Sequence, residues 1–111
     1  MIQIQLGPDR EVDPATDPLG RTRIGARPDM TEQQAWEAGR GVWKLRVARA
    51  IAEHEVQIID GSGVILAVAE ITGLMKCGDR QALQGTLLLG DPRVGQPSPY
   101  PAASRNPVSY H

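Results

Sequence analysis

Phenylalanine is absent from this 111-residue chain, and two tryptophans and two tyrosines are its only aromatic stand-ins. A core without phenylalanine has to be filled by Val, Ile, Leu, Ala and Met, so Trp36, Trp43, Tyr100 and Tyr110 each need a separate account. Cysteine is nearly missing too. Cys77 stands alone, which excludes an intrachain disulfide and the cysteine-rich zinc sites and points to the cytoplasm. Long apolar runs are lacking: "VILAVAEITGLM" is short and carries Glu70, and "MIQIQLGPDR" has no basic segment followed by an apolar one. Neither a membrane span nor a signal peptide is expected, and the protein should be soluble, with no membrane partner. Nor is there a large charge of either sign. A net charge of −1 argues against nonspecific coating of nucleic acid, whose affinity grows with the phosphates neutralised, but leaves room for a local basic patch.

Turn-forming residues are plentiful instead. Twelve glycines and nine prolines imply many turns and few long helices, and the length fits one domain over residues 1–111. "MIQIQL" alternates, with Ile2, Ile4 and Leu6 on one face, and reads as a half-buried strand stopped by Gly7-Pro8. Residues 7–29 show no apolar period and read as irregular. Thr31 opens "TEQQAWEAG", where Thr31 and Gln34 form a capping box and Gly39 or Gly41 is expected to stop the helix in a left-handed conformation. A strand over 43–46 and a short helix or turn after it are expected next. "VQIIDGSGVILAVAEIT" is a hairpin, its two aliphatic runs joined through Asp60-Gly61-Ser62-Gly63. "ALQGTLLLG" supplies a further strand in which Gly85 marks a bulge or a close approach. Residues 91–106, rich in proline, should run extended over the surface, and "PVSY" should add a closing edge strand. The expected fold is mainly β with one or two short helices (α+β), as a small bent sheet or β-barrel.

Three places bear residues suited to binding. Arg40, Trp43 and Lys44 combine a flat π surface with two cations, a set that stacks on a base and meets phosphate; equally, Trp43 could plug a core that lacks phenylalanine. Arg105, Asn106 and Tyr110 offer a planar fork, an amide that donates and accepts, and a ring; the alternative for Asn106-Pro107 is an ordinary turn, and for Tyr110 a lid on the core. His54, between Glu53 and Glu55, fits no metal or general-base signature. Ser62 is explained by its turn, and Cys77 has no catalytic partner. No catalytic residues, metal ligands or cofactors are expected.

The succession "AWEAGRGVWKL", "VQIIDGSGVILAVAEITG", "LQGTLLLGD" and "NPVSY" resembles PUA-like domains of the ASCH and EVE-like kind across most of residues 31–111. The resemblance implies a small β-barrel whose concave surface binds RNA, DNA or a single, often modified, nucleoside. Arg40 and Trp43 match its Arg-Gly-x-Trp strand, and Asn106 with Pro107 matches the approach to its closing strand. The chain departs from modified-base readers of this group in lacking an aromatic cage. The expectation is a nucleic-acid or nucleoside-binding module using Arg40, Trp43, Lys44, Arg105, Asn106 and Tyr110. Two alternatives stand beside it: a small amidohydrolase-like enzyme using Lys44 and Glu70, and a homodimeric interaction domain whose "PSPYP" segment lies on a partner.

Overall fold

The computed structural model describes residues 1–100 and 106–111. In chain order its elements are β1 (Ile2–Gln5), β2 (Arg10–Glu11), β3 (Arg23–Ile24), α1 (Glu32–Gly39), α2 (Val47–Ile51), β4 (Glu55–Ile59), β5 (Ile65–Cys77), β6 (Arg80–Leu87) and β7 (Val108–Tyr110).

The turn at residues 60–63 organises the main sheet. Asp60 Oδ1 accepts from the backbone N–H of Ser62 at 2.8 Å and of Val64 at 3.0 Å, and Gly63 takes a φ of +85° that a side chain would oppose. This turn lays β5 antiparallel to β4. At its other end β5 reverses through Gly78 and Asp79 alone, so that Cys77 pairs with Arg80 and β6 follows as the next strand. β1 docks parallel to β4 on the opposite side, and β7 adds antiparallel to β1, giving the order β6-β5-β4-β1-β7. The sheet is bent and open, with β6 and β7 at opposite edges. Of the two forms expected for the β structure, the small bent sheet is the one found.

One face carries the main core. Ile2 and Ile4 of β1, Val56 and Ile58 of β4, Ala67 and Ala69 of β5 and Leu83 of β6 pack there with Ala35, Trp36 and Ala38 of α1. The capping box forms as the sequence requires: Thr31 Oγ accepts from Gln34 N–H at 3.1 Å, while Gln34 Oε1 accepts from Thr31 N–H at 2.9 Å. The helix stop differs from expectation. Arg40 caps α1 in a right-handed conformation, and neither Gly39 nor Gly41 has a positive φ. These glycines serve contact instead: a β-carbon on Gly39 would stand 2.7 Å from Ile58 Cδ1, and one on Gly41 2.7 Å from Ala82 Cβ. The strand expected over 43–46 shrinks to one bridge, Trp43 to Gln81, and α2 follows it.

The opposite face is also covered, which overturns the half-buried reading of β1. Gln3 and Gln57 pair across the parallel strands and are each only 1% exposed. Gln57 Nε2 donates to Gln3 Oε1 at 2.6 Å and to Ser98 Oγ at 2.8 Å, and Ser98 Oγ in turn donates to Gln3 Oε1. Buried amides linked in this way lose little of the hydrogen bonding they had in water. Beside them Ile59, Ile65 and Val68 form a second small core with Leu88 and Val94.

The cover over this face is the start of the proline-rich segment. Gly95 N–H donates to Ile65 O, Ile65 N–H to Gln96 O and Ser98 N–H to Gly63 O, so the chain is tied to the head of β5 rather than lying loose on the surface. Arg93 locks it by pairing with Asp91 at 2.9 Å and Glu55 at 3.0 Å. These bonds hold the Asp91 carboxyl well below its usual range, at about 2, and lower that of Glu55. Because both folded values lie below the unfolded ones, the lock contributes fully above the ordinary carboxylate range and weakens as pH falls through it, Asp91 releasing last, near pH 2. In urea titrations between neutral pH and about pH 3, the wild type should lose more of its midpoint than Arg93→Met; parallel curves would refute the lock.

Candidate functional site

The irregular N-terminal segment is fastened by one side chain. The Arg21 guanidinium pairs with Asp17 at 2.9 Å, and its Nη1 donates to the backbone oxygens of Glu37, Ala38 and Gly41. These lie at the C-terminal end of α1, whose last turn holds no basic residue. Arg21 therefore supplies from outside the helix both the cation and the donors that helix ends call for. Its guanidinium in turn lowers the Asp17 carboxyl pKa. Next to this anchor β2 and β3 pair, and Pro8 bridges to Ala26.

Fastening the segment in this way leaves a cleft of about 820 Å³ between it and the main sheet. Its lining includes Ala38 and Gly41 to Trp43, residues 5–8, 10 and 12, and Cys77, Arg80, Asn106 and Pro107. Cys77 and Arg80 are directly paired and so share a face of the β5–β6 hairpin. Ala82 lies on that same face of β6 and is packed against Gly41, so Arg80 projects from the side of β6 that faces Gly41.

Trp43 is held rigidly. Its backbone exchanges two 2.8 Å hydrogen bonds with Gln81, and its indole N–H donates to Gly39 O at 2.7 Å. With its N–H engaged, half-buried Trp43 packs against the core and also lines the cleft. Asn106 Oδ1 accepts from Val108 N–H at 3.0 Å, and its amide donors have no partner among the described residues. Arg10 and Arg80 are both exposed and have no ion-pair partner among the described residues.

Of the residues singled out from sequence, Trp43 and Asn106 are brought into this one cleft. Arg40 is not: its guanidinium donates to Glu37 at 3.2 Å and to Leu83 O at 3.1 Å, stitching the end of α1 to β6. Lys44 is exposed and outside the cleft lining. Tyr110 lies away from it too, with its hydroxyl accepting from Arg46 N–H at 3.0 Å and Arg49 5.2 Å over its ring. Arg105 lies outside the described residues. Lys44 and Glu70 are held apart, since Trp43 pairs with Gln81 while Glu70 pairs with Thr86, five residues and about 16 Å further along β6. Arg10, Arg21 and Arg80 are the cleft residues that the sequence reading missed. Only for Arg80 was there a local signal: reading Gly78-Asp79 as a two-residue turn pairs it with Cys77.

Comparison of the chain with protein-family models, with curated proteins and with solved structures finds no match.

Proposed function

We propose that the cleft binds nucleic acid or a nucleoside, with Trp43 as the stacking surface and Arg10, Arg80 and Asn106 as polar contacts. One observation carries this reading: in a chain of net charge −1, two arginines without acidic partners among the described residues share a cleft with a tryptophan whose polar handle is already occupied. The volume suits a small ligand or one or two bases, within the range of about 300–1,000 Å³ usual for such sites. The lining, with Leu6, Pro8, Val12, Ile24, Val42 and Pro107, supplies an apolar surround for a planar ring.

Titration with short single- and double-stranded DNA and RNA, followed by tryptophan fluorescence at low and moderate salt, tests it. Saturable, salt-sensitive quenching is expected in the wild type. Trp43→Ala should weaken binding by about 1–3 kcal/mol, the worth of one stacked base, while buried Trp36 keeps its signal. A folded wild-type protein that binds none of these oligonucleotides, nor any nucleoside, would overturn the proposal.

A further inference from the structure

The charges around the cleft limit what it admits. Asp17 and Arg21 cancel one another, leaving Arg10 and Arg80 as its uncompensated cations. Acidic residues adjoin both along the chain. Asp9 and Glu11 flank Arg10 and pair with Arg23; exposed Asp13 follows, and exposed Asp79 precedes Arg80 in the β5–β6 turn. A strand that ran on beyond the cleft would bring further phosphates into the neighbourhood of these carboxylates. A ligand whose charge ends inside the cleft meets no such repulsion.

A terminal phosphomonoester is such a group. It carries about −1.5 to −2 charges at neutral pH, where an internal phosphodiester carries one, and the cleft lining offers two guanidinium groups, on β2 and β6, to pair with it. Trp43 and the amide donors of Asn106, unpartnered among the described residues, are left for a base and its edge. On the premise that the cleft binds nucleobases at all, we infer that its ligand is a single nucleotide bearing a terminal phosphate, with the base against Trp43 and the phosphate on Arg10 and Arg80. That nucleotide is either free or the phosphorylated end of a strand.

Calorimetric titration of the whole chain at neutral pH distinguishes these cases. The probes are adenosine and guanosine, their 5′-monophosphates, the methyl esters of those monophosphates, inorganic phosphate, and a single-stranded decanucleotide with and without a 5′-phosphate. The monophosphates should bind at least about tenfold more tightly than the nucleosides, the methyl esters and inorganic phosphate. A phosphorylated decanucleotide that matches the monophosphate identifies a strand end; one that fails to bind identifies the free nucleotide. Arg10→Ala and Arg80→Ala should each weaken the monophosphate about tenfold and weaken it by more than they weaken the nucleoside, with far-UV circular dichroism showing both variants folded. Bound monophosphate should also slow alkylation of Cys77 by iodoacetamide, because Cys77 lines the same cleft. Nucleosides binding as tightly as monophosphates, or the unphosphorylated decanucleotide binding more tightly than either, would overturn this inference while leaving the nucleobase reading intact. Failure of every base-containing probe would overturn both.

Discussion

Arg21→Ala is expected to lower the stability of the fold by about 3 kcal/mol, the cost of breaking a largely buried ion pair on one side. The Arg21 and Asp17 side chains are 10% and 9% exposed, so removal of the guanidinium leaves a carboxylate with little access to water and only the backbone N–H groups of residues 19 and 21 as donors. It also strips donors from three carbonyl groups at the end of α1. The two losses are separable. Arg21→Ala combined with Asp17→Ala removes the stranded charge and should recover part of the stability, leaving the helix-end deficit. Urea midpoints of the two variants measure both quantities. A loss below about 1 kcal/mol for Arg21→Ala, in the range of an exposed pair, would mean that the segment is held by other contacts. Because Arg21 fixes one wall of the cleft, the variant should also bind nucleotide more weakly than its remaining folded fraction accounts for.

Gly85→Ala is the second large effect, also expected at about 3 kcal/mol, at the upper end of overpacking costs. A β-carbon there would stand 2.2 Å from the Glu70 carbonyl oxygen and 3.4 Å from Trp36 Cζ2. The first clash is with backbone and cannot be relieved by rotating a side chain. It falls where β5 changes register against β6 between Ile71 and Gly73, so the irregularity that brings the strands together would have to be rebuilt. Gly61→Ala is the control, since nothing lies within 4 Å of its added carbon, and it should change stability by no more than about 0.5 kcal/mol. Thermal melts of the two variants should therefore separate by on the order of 10 °C; equal melting temperatures would refute the close approach at Gly85.

Local chemistry was legible in the sequence. The capping box of α1 and the hairpin turn at Asp60 rest on residues within a few positions of one another, while Gly85 and the closing strand Val108–Tyr110 were marked by local pattern although their partners are distant. The readings that failed depend on distant partners. Gln3 looked solvent-facing because the alternation of β1 does not show that Gln57 and Ser98 will bury it. Residues 91–98 read as an extended surface segment; they lie at the surface but turn and bond to the head of β5, and nothing local announces that Arg93 reaches Glu55. Gly39 and Gly41 looked like helix stops, whereas Ile58 and Ala82, remote in the chain, demand their smallness. The cleft follows the same division. Trp43 and Asn106 drew attention by residue type, but Arg10 enters through a fold-back that Arg21 fastens to the end of α1, and Arg40 is diverted by Leu83.

The position of β1 governs when the fold can be completed. It lies between β4, which follows it by more than fifty residues, and β7, which pairs it from beyond residue 107. The run from β4 through β6 is a meander of near neighbours and closes at low entropic cost, whereas β1 waits for partners that the ribosome releases later. Until then Ile2 and Ile4 have no sheet to enter. Nascent chains halted before residue 55 should therefore engage chaperones through this strand, and substitutions in β1 or β7 should act mainly by speeding unfolding rather than by slowing the first steps of collapse.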